Sequence, residues 1–256
     1  MKKFVISILV VAIAFLIVAC KQEPEPHVHS WGEGKDNGNG RIVYECSGCS
    51  ETRFEYKTYE MGSTGPAGGF VFYDVDADNE TGNADGLKSS ECGWRYMEIS
   101  VNYLKNPTPS YNTLYSEKNP ADAGSYNGNY LITDEFVTED KIGTGKKNTE
   151  KFIAALESGY LYSSGNKTAT KQTTANCPFY IASVSEEGGK NDWFIPSVGE
   201  LIAADTANFP FVNKSYGVWS STRTKTDTTY NHTMYNGASS TQHQGPNSYW
   251  YIVREF

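Results

Sequence analysis

Apolar and polar positions divide the chain unevenly. Residues 4–19 form one apolar run interrupted only by Ser7, and they follow Met1-Lys2-Lys3. The polar stretch Lys21-Gln22-Glu23-Pro24-Glu25-Pro26 comes next and reads as an extended tether, since Glu-Pro repeats disfavour helix. Residues 41–45 and 52–56 are rich in β-branched and aromatic side chains and read as two strands of a hairpin. Further strands are expected at 70–73, 95–99, 218–220 and 249–254. Phe152, Ile153 and Leu156 share a helical face, which predicts a helix over 148–158 with Asn148 as its cap and Gly159 as its stop. A second helix is expected from Ser197, because Ser197-Val198-Gly199-Glu200 has capping-box spacing. Residues 100–140 and 160–176 are expected as long loops. Strands and helices are mixed without a βαβ repeat, so the expected class is α+β.

Composition sharpens this picture. Eighteen tyrosines, with many Gly, Ser, Thr and Asn residues, favour hydrogen-bonded loops over a strand-based core. Loss of residues 1–19 would remove two lysines and no acid, taking the formal charge from −8 to −10. A surface of that sign repels nucleic acid, and no nucleic-acid partner is expected. About 190 residues follow Thr64, enough for one domain with a sizeable core.

Residues 27–58 read as a small separate module. His27-Val28-His29-Ser30-Trp31 precedes the hairpin, and Cys46-Ser47-Gly48-Cys49 sits between its strands. So small a piece needs a staple. His27, His29, Cys46 and Cys49 offer the nitrogen and sulfur ligands that a structural zinc takes. A Cys46–Cys49 disulfide and packing by Trp31 and Tyr44 are the alternatives. Residues 59–64 read as a linker. Cys92 and Cys177 remain as candidate disulfide partners, worth ~4–5 kcal/mol across so long a loop, or else as two separate buried thiols.

Two resemblances add to these readings. The run Ile17-Val18-Ala19-Cys20 resembles the lipobox of bacterial lipoproteins. That implies a signal peptide over 1–19, acylation at Cys20 and attachment to a membrane without a span. The alternative is an uncleaved helix, for which the run is short. The implied location is the bacterial cell envelope, with the outer membrane and surface exposure expected. The second resemblance rests on Gly65-Pro66-Ala67-Gly68-Gly69-Phe70, Gly93-Trp94-Arg95-Tyr96-Met97-Glu98, and Ile142-Gly143-Thr144-Gly145 with Asn148-Thr149. It continues through Asp192-Trp193-Phe194-Ile195-Pro196-Ser197, Glu200-Leu201, Trp219-Ser220-Ser221, Val253-Arg254 and Phe256.

In this order the phrases resemble the C-terminal domain of collagen-like bacterial surface proteins (the Lcl C-terminal family), found in surface lipoproteins including those of spirochaetes. The likeness covers about residues 65–256. It implies a C-type lectin-like domain with long irregular loops that acts in binding or adhesion. The implied partners are a host matrix protein, a glycan or an envelope protein; the alternative role is a structural envelope component. The acidic charge departs from what a binder of sulfated glycans would carry. Trp94, Trp193 and Trp219 are expected in the core, and Arg254 as a buried, paired arginine with an exposed strand position as the alternative.

Other chemistry is sparse. Asp74, Asp76, Asp78 and Asp85 have the spacing of a calcium loop, but Asn79 stands where such a turn favours glycine, and a solvated acidic loop is the simpler reading. The segment 142–147 lacks the leading glycine of a phosphate loop. His232 and His243 lie in loop-like sequence without partners at useful spacing. No catalytic signature appears, so no enzyme is expected. Reactive thiols at Cys92 and Cys177 are the one enzymatic alternative.

Overall fold

The computed structural model describes residues 27–77, 86–104, 129–131, 137–157, 161–163, 166–169, 178–212, 217–226, 229–237, 239–241 and 249–256. Cys20, residues 1–19 and the tether lie outside them, as do Asp78, Asp85, Cys177 and His243. The chain divides into two compact units. The smaller comprises residues up to Asp36 with Ile42–Glu55, and the larger comprises Asn37–Arg41 with Tyr56–Phe256. Among the described residues, no helix is long and apolar enough to cross a membrane.

In the smaller unit, β1 (Lys35–Asp36), β2 (Arg41–Glu45) and β3 (Thr52–Tyr56) form a sheet in that order. The limits of β2 and β3 are those the sequence predicts. The knuckle between them closes by Cys46 N–H donating to the Glu51 carbonyl at 3.0 Å. Trp31 bridges to Cys46, and the Gly32 and Ser47 N–H groups bond Glu45 and Ser30 carbonyls at 2.9 and 2.8 Å. Gly34 permits this close packing, because a Cβ there would sit 2.5 Å from Ile42 and 2.7 Å from Tyr44. Among the described residues of this unit, Cys46 is the one buried hydrophobic side chain.

The larger unit contains β4 (Phe70–Asp74), α1 (Ser89–Cys92), β5 (Tyr96–Ile99), β6 (Asn129–Leu131), α2 (Gly145–Glu157), β7 (Leu161–Ser163), β8 (Asn166–Ala169) and α3 (Pro178–Ser183). After a 3-10 turn at Glu187–Gly189 come α4 (Val198–Thr206), β9 (Val218–Thr226), β10 (Thr229–Tyr235), β11 (Ser239–Thr241), β12 (Tyr249–Trp250) and β13 (Val253–Glu255). The sheets have orders β13-β5-β4, β11-β10-β9-β12 and β6-β7-β8. The pairings are antiparallel except β12 with β9. The architecture is therefore mixed α and β with small, mostly antiparallel sheets, compatible with the expected α+β class.

Several expectations are corrected. The stretch 249–254 is not one strand: β12 pairs with β9, then the chain turns and β13 pairs with β5. It thereby stitches two sheets together. Residues 59–64 pack into the larger unit, with Tyr59 against Tyr96 and Phe256, and with Gly62 and Ser63 bonded to Val71. The stretches 100–140 and 160–176 contain the short strands β6, β7 and β8, and His232 lies in β10 rather than a loop. Helix α2 begins at Gly145, so Asn148 is an interior residue and not its cap.

Alternation along the strands builds the core. Met97 and Ile99 of β5 join Phe72, Phe194, Leu201, Tyr251 and Val253 in one apolar cluster. Tyr96 faces the other way, onto Val71 and Phe256. A second cluster gathers Phe152, Phe179, Trp193, Trp219, Trp250 and Ile252. Phe152 stacks on Phe179 at 4.0 Å, and Trp219 on Trp250 at 5.3 Å. Trp94, Trp193 and Trp219 are all buried, as expected from rings in short strand-like segments.

Candidate metal centre

The hairpin knuckle brings His27, His29, Cys46 and Cys49 together. Each offers one ligand atom, and all these atoms lie within 4.8 Å of one another, so the cluster could hold a metal ion. His27 Nε2 is 3.4 Å from Cys46 Sγ, and His29 Nδ1 is 3.5 Å from Cys49 Sγ. Both thiols are free. The alternative staple, a Cys46–Cys49 disulfide, is therefore not formed.

The sequence explains the geometry. The bridge from Trp31 to Cys46 lays the His-x-His segment alongside the knuckle. Gly48 makes room for His27, since a Cβ there would stand 2.8 Å from the ring. The His29 ring stacks on Trp31 at 5.0 Å with a tilt of 20°. Arg53 in turn lies over Tyr44 at 4.5 Å and Trp31 at 5.4 Å. The other edge of His29 is held by Glu51, whose Oε2 is 3.1 Å from Nε2.

Electrostatics separates the two thiols. The hydrogen bond to His27, helped by the Gly48 backbone, draws Cys46 down to about 5. The Glu51 N–H favours the Cys49 thiolate, but burial and the neighbouring Cys46 outweigh it and push Cys49 up. A cation between two such sulfurs removes the repulsion that keeps the second one protonated.

The larger unit has no comparable ligand cluster among the described residues. Two of its buried charges, Glu98 and Arg254, are tied to each other. Arg254, fully buried on β13, stands opposite Glu98 of β5 and donates to it at 2.8 Å. It also grips Asp192 through Nε at 2.6 Å and Nη2 at 2.9 Å, and bonds Asn39. Burial works against charge on Arg254, but Asp192 and Glu98 raise its pKa further. Glu98 also accepts from the N–H groups of Ala67 and Gly69, at 3.1 and 2.9 Å. A Cβ on Gly69 would come within 2.9 Å of Glu98 Oε2, and one on Gly65 would clash with the same oxygen. Gly65 and Gly69 are thus required by a buried carboxylate, and Gly68 by its left-handed backbone at φ 82°.

Glu200 plays a second role that the capping box did not reveal. It completes that box with Ser197, at 2.8 and 3.2 Å, and its Oε1 also accepts from Gly143 and Gly145 N–H at 2.9 and 3.0 Å. One carboxylate therefore caps α4 and, from a distance, the start of α2. Burial pushes Glu200 up to about 8, against the pull of these N–H groups. Asn148 turns inward, where it bonds Glu139 and Ser221.

The remaining candidates fare unevenly. Asp74 accepts both Nε and Nη2 of Arg95 at 3.1 Å, and Asp76 accepts from Ser89 with Arg95 3.9 Å away. An arginine therefore already occupies the cation position beside these two carboxylates; Asp78 and Asp85, the other expected calcium ligands, lie outside the described residues. Cys92 is a free, half-buried thiol whose Sγ lies 3.1 Å from the Trp94 carbonyl, and burial raises its pKa. Its expected disulfide partner Cys177 lies outside the described residues.

No family model, curated protein or solved structure was found to match this chain.

Proposed function

We propose that this chain is a lipid-anchored envelope protein, acylated at Cys20, in which a zinc-stapled module precedes a lectin-like domain that binds an extracellular or envelope partner. The zinc reading is carried by the spacing of the ligand atoms. Zinc–sulfur bonds of about 2.3 Å and zinc–nitrogen bonds of about 2.0 Å at tetrahedral angles put neighbouring S and N atoms about 3.5 Å apart. Two of the four S···N separations are 3.4 and 3.5 Å, and all four ligand atoms lie within 4.8 Å of one another. Four protein ligands leave no open position, so the metal is structural.

The anchor rests on Ile17-Val18-Ala19-Cys20, and the lectin-like head on the ordered phrases between Gly65 and Phe256. In support of a rigid scaffold for binding loops, Glu98 holds the 65–69 turn to β5, Asp192 and Glu98 hold Arg254, and Glu200 joins two helix starts.

The test has two arms. Protease treatment of intact cells reports whether the chain is surface-exposed. The Cys20→Ser form of the exported chain is then applied to glycan and matrix-protein arrays, where selective binding is expected. Absence of binding together with co-purification of one stoichiometric envelope protein would replace adhesion with a structural role.

A further inference from the structure

We propose that Glu51 positions His29 to bind the metal through Nδ1, an inference that rests on the zinc reading above. The two ring nitrogens of His29 are differently placed. Nδ1 faces the Cys49 sulfur at 3.5 Å, and Nε2 faces Glu51 Oε2 at 3.1 Å. A neutral imidazole carries one proton. The Glu51 carboxylate is an acceptor, so it places that proton on Nε2 and leaves the Nδ1 lone pair directed at the cluster. A carboxylate bonded to the outer nitrogen of a ligating histidine fixes both tautomer and ring orientation and makes the nitrogen a better donor. The stack on Trp31 restrains the same ring from its face. Neither composition nor spacing marks Glu51 as part of the site; only the fold of the knuckle brings it to His29.

Truncating this side chain isolates its effect. The backbone carbonyl of Glu51 closes the knuckle by accepting from Cys46 N–H, and Glu51→Ala keeps that bond. The experiment uses the full chain purified in detergent under reducing conditions. Zinc affinity is measured by competition with a chromogenic chelator, and zinc content by elemental analysis. The native chain is expected to hold one equivalent. Glu51→Ala is expected to weaken binding about tenfold, at the low end of the usual range because Glu51 is largely exposed. Glu51→Gln is expected to recover part of the loss, since its amide oxygen accepts the same N–H. Ring ¹⁵N spectra of histidine-labelled protein are expected to show His29 metal-bound at Nδ1 and protonated at Nε2.

If the native chain binds zinc and Glu51→Ala binds it equally well, or if His29 proves to be bound through Nε2, the role of Glu51 is overturned and the zinc site stands. If the native chain takes up less than about half an equivalent, the zinc reading falls and the role of Glu51 with it.

Discussion

In the smaller unit Cys46 is the one buried hydrophobic side chain among the described residues, whereas the larger unit buries Trp94, Trp193, Trp219 and Trp250 in two apolar clusters. Both also gather charged or ligating groups, and they use them differently. The larger unit pairs Glu98 with Arg254, and caps Glu200 with backbone N–H groups, inside a core that already buries apolar side chains. The smaller has ligand atoms where a core would be. A hairpin of this size cannot offset the entropy of ordering its chain by apolar burial alone. The comparison therefore teaches that His27, His29, Cys46 and Cys49 stand in for a core, while Glu98 and Arg254 refine one.

On the zinc proposal, the most severe way to break this comparison is to withhold the metal. Structural zinc supplies about 10–16 kcal/mol of apparent binding free energy to small domains. Chelation under reducing conditions, or Cys46→Ser, should unfold the smaller unit and leave the larger one folded. Limited proteolysis with mass mapping should then show cuts within 27–55, with the core of the larger unit resistant. A hairpin that resists protease equally well without metal would show that Trp31, Tyr44 and Arg53 suffice.

The next largest effect belongs to the larger unit. Glu98→Ala leaves Arg254 buried beside one fewer anion and strands the N–H groups of Ala67 and Gly69, at a cost of about 3–5 kcal/mol. Replacing the pair together, as Glu98→Leu with Arg254→Met, should recover part of that loss, because no unmatched charge is then left inside. Denaturant unfolding of the full chain measures both. A double variant no better than the single would mean that the turn at 65–69, rather than the ion pair, dominates.

How far these features were legible in the sequence follows the same division. The ligand cluster was legible because residue type and spacing carry it: two histidines two apart ahead of the hairpin, and two cysteines three apart between its strands. The limits of β2 and β3 were legible for the same local reason. Asn148 was misread because its environment is made by distant residues. The N–H groups at the start of α2 are met by Glu200, more than fifty residues away, and that freed Asn148 to point inward. The split of 249–254 was hidden because an apolar run does not say how many sheets it serves. Glu51 was missed because one carboxylate after a C-x-x-C pair has no pattern of its own.

An intermediate test uses pH. Burial alone would raise the Asp192 carboxyl, but its hydrogen bonds and charge contact with Arg254 outweigh this and hold it below its ordinary value. A depressed carboxyl contributes stability above its unfolded pKa of about 3.9 and loses it as pH falls through the folded value. Acidification below about pH 4 should therefore weaken the larger unit, and Asp192→Asn should flatten that limb of the profile. At neutral pH the substitution should cost about 1 kcal/mol, discounted because solvent reaches the outer edge of Asp192. An unchanged acid limb would assign acid sensitivity to other carboxylates.

The smallest expected effect sharpens the comparison most finely. Arg53 lies over Tyr44 and Trp31 in the smaller unit, and such a cation–π contact at an exposed site is worth about 0.5–1 kcal/mol. In the larger unit a loss of that size would be lost among core contacts. In the smaller one, on the zinc proposal, it acts on the same equilibrium as metal binding, since folding and ligation of so small a module are then one event. Arg53→Ala should therefore raise the zinc concentration needed to protect residues 27–55 from protease about two- to fivefold, while the denaturant midpoint of the larger unit stays where it is. A shift far beyond fivefold would make the stack over Trp31 a partner of the ligands in ordering the knuckle. No shift at all would leave the four ligands as the whole of what orders it.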